Sequence, residues 1–201
     1  MNRQVLRLGM LSPALLAGTM SLCFVITAGG QSQRYVGTQI TGTVYFVGGR
    51  TAALSRPFRL IVNRYTSPEE VSQLNAALQS GGQDALLHTL SKMKAGRIEI
   101  GTGVGLTANA IIASQEEGRT KLTVVYERYL RFAELRFGSR SENYKFGYAE
   151  LYLGQGNHEG MLIPAALVRL RNGNTWEVED FGTFPARLMG LQVHGGGREA
   201  R

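Results

Sequence analysis

Phe146-Gly147-Tyr148-Ala149-Glu150-Leu151-Tyr152-Leu153, the turn Gly154-Gln155-Gly156-Asn157-His158-Glu159-Gly160 and the run Met161 to Leu170 form one readable unit. In the first segment Phe146, Tyr148, Glu150 and Tyr152 fall on one side, with Gly147, Ala149, Leu151 and Leu153 on the other. That is the two-residue period of a strand, and a glycine-rich turn before a second apolar run predicts an antiparallel hairpin. The returning run is apolar on both sides, with Met161, Ile163, Ala165 and Leu167 against Leu162, Ala166, Val168 and Leu170. Two apolar faces fit a sheet curved around a pocket.

The same reading extends outward in both directions. Tyr35 to Val47, Phe58 to Tyr65, Arg97 to Ile100, Ala108 to Ser114, Lys121 to Leu130, Thr175 to Asp180 and Pro185 to Val193 are short strand-like runs separated by turns. One stretch departs from this rhythm. Ser67 is placed to cap a helix, Pro68 suits its first turn, and Glu70 completes a capping box. Val71, Leu74 and Leu78 then form an apolar stripe that Gly81-Gly82 ends, and Leu86, Leu87, Leu90 and Met93 form another before Gly96. The predicted architecture is α+β: a mostly antiparallel, curved or barrel-like sheet of seven to nine strands with an inserted helical hairpin at about 67–95. A two-layer sandwich is the other arrangement open to so many strands.

The N-terminal segment has the order of an export signal. Arg3 and Arg7 precede an uncharged apolar run through Phe24, Val25 and Ile26, which ends in the small residues Thr27-Ala28-Gly29-Gly30. The reading is a signal peptide over 1–28, one β-rich domain over 29–194 and a disordered glycine-rich tail over 195–201. It predicts a periplasmic or secreted protein; retention of the segment would instead anchor the chain by an N-terminal helix, the one route to membrane contact in this reading. Cys23, the sole cysteine, lies inside the segment. A cleaved chain then has no disulfide, and about 170 residues suffice to bury one core without one.

The 201-residue chain carries a formal charge of +7, which becomes +5 without Arg3 and Arg7. Its arginines are spread along the sequence, and Glu127, Glu134 and Glu142 interrupt the basic and aromatic group Arg128 to Arg140, so no nucleic-acid groove is expected. Gly101-Thr102-Gly103-Val104-Gly105 resembles a phosphate loop but precedes a strand-like run where a helix N-terminus is needed. His88, His158 and His194 are scattered, so neither a metal site nor a histidine general base is expected, and no cofactor is implied. The residues singled out for ligand contact are Arg140 and Tyr144, in a polar loop, and Glu150, a carboxylate among aromatic side chains.

The segments Tyr65-Thr66-Ser67-Pro68-Glu69-Glu70, Gly82-Gln83-Asp84-Ala85-Leu86-Leu87 and Glu179-Asp180-Phe181-Gly182 resemble those of an uncharacterised family of exported bacterial proteins. The resemblance implies no activity. The residues themselves favour a non-catalytic binding or carrier module for a small apolar ligand. A structural or interaction protein of the cell envelope is the alternative, and a carboxylate-dependent hydrolase ranks third.

Overall fold

The computed structural model describes residues 35–47, 54–128, 140–154, 156, 158–171, 175–181 and 185–195. The expected signal peptide and all of the expected tail except Gly195 lie outside these residues. The strands are β1 (Thr38–Tyr45), β2 (Ser55–Val62), β3 (Gly96–Ile100), β4 (Leu106–Ala108), β5 (Ala110–Glu116), β6 (Arg119–Glu127), β7 (Phe146–Leu153), β8 (Glu159–Arg171), β9 (Thr175–Asp180) and β10 (Ala186–His194). One helix, α1 (Pro68–Leu90), lies between β2 and β3.

All ten strands belong to one antiparallel sheet, in the order β4-β3-β2-β1-β10-β8-β7-β6-β5, with β9 paired to β8 off that path. The hydrogen-bonded ladder does not close. Its end strands β4 and β5 are nevertheless separated in the chain only by Asn109. Strands at opposite ends of so long a path can be chain neighbours only if the sheet curls, so the architecture is an α+β curved sheet.

Curling gives the sheet two unlike faces. The inner face is a core drawn from every strand except β9, including Ile40, Leu60, Ile98, Ile111, Leu122, Leu151, Leu162 and Leu188. These eight side chains are at most 1% exposed, so the space the sheet encloses is packed with its own residues. A second core lies between the outer face and α1, where Leu74, Leu78, Leu86 and Leu90 meet Val125, Phe146, Tyr148, Ile163, Ala166 and Val168. The double apolarity of β8 follows from this arrangement, because the inner core covers one face and the helix the other. An irregularity in the β7–β8 register, where Phe146 pairs Ala166 but Tyr148 pairs Ile163, lets both Ile163 and Ala166 face the helix.

The expected helical hairpin is instead one element, interrupted at Gly81 and Gly82. Gly82 has φ +61°, a conformation that glycine adopts without a side-chain penalty. The second half ends at Leu90 with Ser91 as cap, whereas Gly96, the expected terminator, opens β3. Just after the break, the Gln83 side-chain amide donates to the Val168 carbonyl and accepts from the Val168 amide at 3.1 Å. This pair of hydrogen bonds occupies part of the edge of β8 beyond its last β7 partner, Ala166.

The helix start is as the sequence predicts. Glu70 N donates to Ser67 Oγ at 3.2 Å, and Ser67 N donates to Glu70 Oε2 at 2.9 Å. The Arg64 guanidinium grips both Glu70 oxygens at 2.7 and 2.9 Å. Substituting Ser67→Ala is expected to cost about 1 kcal/mol in urea unfolding, the usual value of a lost N-cap. Arg64, and then the Ser67 amide, hold the Glu70 carboxyl below the ordinary glutamate range. A lowered folded-state pKa stabilises above the unfolded value and loses that effect as pH falls through the folded one. The stability gap between wild type and Glu70→Gln is therefore expected to be full at pH 7 and to close in acid.

Candidate binding groove

Along the outer face of β7 the helix covers Phe146 and Tyr148 but not the far end of the strand, so the side chains beyond them change from core to polar. Glu150 is 8% exposed and is held by three groups. Its Oε1 accepts from Tyr148 Oη at 2.5 Å and pairs with Lys121 Nζ at 2.9 Å, and its Oε2 accepts from Tyr152 Oη at 3.0 Å. The two tyrosines stand two residues either side of it on the same strand face. Lys121 comes from β6, where it is opposite Tyr152. Burial alone would lower the lysine's pKa, but Glu150 and then Glu116 hold the ammonium above its ordinary range. Burial, reinforced by Glu150, raises the Tyr148 hydroxyl, which stays a hydrogen-bond donor at neutral pH.

Glu150 and Tyr152 of this cluster form one wall of a groove of about 890 Å³. Arg119 and Tyr152 flank Glu150, Met161 and Gly160 of β8 form the floor, and the segment Pro185 to Leu191 closes the opposite side. The groove exists because β8 begins at Glu159, so β10 pairs with it only through Ala186, Arg187 and Leu188 before running on without it. Gly160 permits the close approach of β8 to β7: a Cβ there would lie 2.2 Å from the Glu150 carbonyl oxygen. Arg119 lies over the Tyr152 ring at 5.0 Å and pairs with Glu159 at 3.4 Å. His158 spans the groove's lower end, with Nδ1 3.2 Å from the Leu191 carbonyl and Nε2 3.0 Å from the Gly154 carbonyl.

The three residues singled out from sequence are not assembled into one site. Glu150 lies in the groove wall, where its ion-pair partner is Lys121 of β6. Tyr144 precedes β7 at its opposite end, six residues away, or about 20 Å of extended chain. There its hydroxyl donates to Glu179 Oε1 at 2.6 Å, and its ring meets Phe181 edge-on at 4.9 Å. Arg140 opens the short 3-10 turn Arg140–Asn143, on that same side of β7. Sequence reasoning missed Lys121, Arg119, Met161 and Arg187. The legible signal was Tyr148-x-Glu150-x-Tyr152, which puts three oxygen-bearing tips in a row on one strand face.

Among the described residues no group of three or more histidine, cysteine or acidic side chains is placed to hold a metal ion. Among them, too, no helix is long and apolar enough to cross a membrane. No protein-family model matches the chain, and no curated protein or solved structure proved similar to it.

Proposed function

We propose that this chain is an exported, non-catalytic binding module whose small, largely apolar ligand sits in the outer groove between β7, β8 and β10. The observation that carries the reading is the groove itself: at about 890 Å³ it has the size of a small-molecule site, and Met161, Met189 and Pro185 share its lining with Arg119, Glu150 and Tyr152. The filled inner core moves the ligand seat from the interior of the sheet, where the strand pattern first suggested it, to this outer face. Glu150 then acts as a fixed acceptor that orients the tyrosine hydroxyls, because Lys121, which also pairs with Glu116 at 3.2 Å, supplies its counter-charge. We also propose that the curled sheet behaves as a barrel, with the chain continuity of β4 and β5 through Asn109 joining the two ends of the ladder.

Filling the groove tests the proposal. Met161→Trp, on the half-exposed floor, is expected to weaken binding of the apolar fluorophore 8-anilinonaphthalene-1-sulfonate by about tenfold or more, since one occluded side chain is worth a kilocalorie or two. Thermal unfolding of the variant should match wild type within a few degrees. Unchanged affinity in a folded variant would remove the groove as the ligand seat.

A further inference from the structure

The rim formed by the end of the β1–β2 hairpin and the β3–β4 turn carries exposed apolar and basic side chains together. Tyr45 is 46% exposed and Leu54 44%, on the two arms of the hairpin, and Val104 is 85% exposed in the neighbouring turn. The turn is built to hold Val104 outward: the Arg97 guanidinium donates to the Val104 carbonyl, and Gly101 N donates to the Pro57 carbonyl at 2.8 Å. Glycines with positive φ, Gly101 at 81° and Gly105 at 77°, close it at both ends.

The described charges on this rim are mostly positive. Arg59 and Arg97 share a single carboxylate, Glu99, at 3.1 Å each. Arg56 is exposed near the start of β2, on the strand face opposite to that of Arg59, and Arg187 is exposed on β10 directly opposite Tyr45. Neither makes an ion pair with a described residue. Four guanidinium groups against one carboxylate leave a surplus of three positive charges around Tyr45, Leu54 and Val104. A protein partner with a matching acidic, apolar face could satisfy the same groups, but arginines and an aromatic ring around projecting aliphatic side chains match the layering of a lipid interface more closely. There the aliphatic groups enter the acyl boundary, the tyrosine stays at the headgroup level and the arginines meet lipid phosphates.

From this combination we propose that the rim is a peripheral contact with an anionic lipid surface. The contact does not require the N-terminal apolar segment, and of these rim residues only Arg187 also lines the groove. Full-length protein is to be followed by hydrogen–deuterium exchange with vesicles of phosphatidylcholine alone or with phosphatidylglycerol added. The expected result is slower exchange in peptides covering 54–62 and 97–108 with the anionic vesicles only. Because the readout is local, vesicle binding through the N-terminal segment does not imitate it. Arg56→Gln with Val104→Ser, both exposed positions, should reduce the anionic partitioning attributable to this rim by about tenfold, near one kilocalorie per arginine plus the lost aliphatic contact. Absence of protection at the rim, or equal protection with neutral vesicles, would overturn the proposal, as would protection that the double variant leaves intact. Protection by an acidic protein partner with none by vesicles would likewise assign the rim to protein docking.

Discussion

Asn109→Ala is expected to lower the unfolding free energy by about 3–5 kcal/mol, among the largest effects available to a single polar side chain here. Asn109 is 4% exposed and is the one residue between β4 and β5. Its Nδ2 donates to the carbonyls of Leu90 and Met93, both at 3.2 Å, and its Oδ1 accepts from Glu127 N at 2.9 Å. One amide thus serves carbonyls at and just after the end of α1 and the last amide of β6, at the point where the sheet's two ends meet. Alanine would strand the Met93 carbonyl and the Glu127 amide in a buried corner, at about 1–3 kcal/mol each before any relaxation or water entry, and would leave the Leu90 carbonyl with the Met93 amide at 2.9 Å as its partner. Aspartate discriminates the mechanism: it keeps the acceptor for Glu127 but turns a carboxylate oxygen toward two carbonyls. Asn109→Asp should therefore be no better than alanine in chemical denaturation at neutral pH. A loss below about 1 kcal/mol for both variants would show that the corner is held by packing alone.

Lys121→Met should cost roughly 3 kcal/mol, the lower end of the range for removing one partner of a buried ion pair. The lower end applies because the Lys121 side chain keeps 19% of its exposure while that of Glu150 keeps 11%. The remaining carboxylate would retain the hydroxyls of Tyr148 and Tyr152 but lose its counter-charge. Adding Glu150→Gln should restore most of the loss, since a neutral amide still accepts from a tyrosine hydroxyl and needs no cation. The pH behaviour is specific. The lysine's pKa is raised on folding, so its contribution is complete below the ordinary lysine range and fades only as pH rises through the higher folded value. Between pH 6 and 9 the gap attributable to Lys121 protonation should be flat. A gap that grows or vanishes across that window would locate the effect in another group.

The parts of the fold that were legible in the sequence are those decided by local rules. The Ser67-Pro68-Glu69-Glu70 cap, the hairpin of β7 and β8 and the break at Gly81-Gly82 each depend on neighbours within a few residues, and the structure shows all three. What escaped depends on the sheet's curvature. Ala108 to Ser114 reads as one strand, yet it is divided at Asn109, because its first part pairs with β3 and its second with β6. The two apolar faces of β8 looked like the wall of a pocket, but a strand buried under a helix carries the same pattern, and only the packing of α1 separates the cases. Glu150 was legible as a carboxylate among aromatics. Its lysine partner was not, since the β6–β7 register that places Lys121 beside it is a long-range property.

The groove and the rim assign different work to two parts of the outer surface. In the proposed reading the groove takes a small molecule and the rim meets a lipid surface; Arg187 of β10 lines the first and adjoins the second. The most direct test of the central proposal is native mass spectrometry of the protein isolated from its native cells. A population heavier than the chain by one small bound molecule, absent from Met161→Trp, is the expected result. A single bare mass in wild type and variant alike would contradict a ligand-carrying groove.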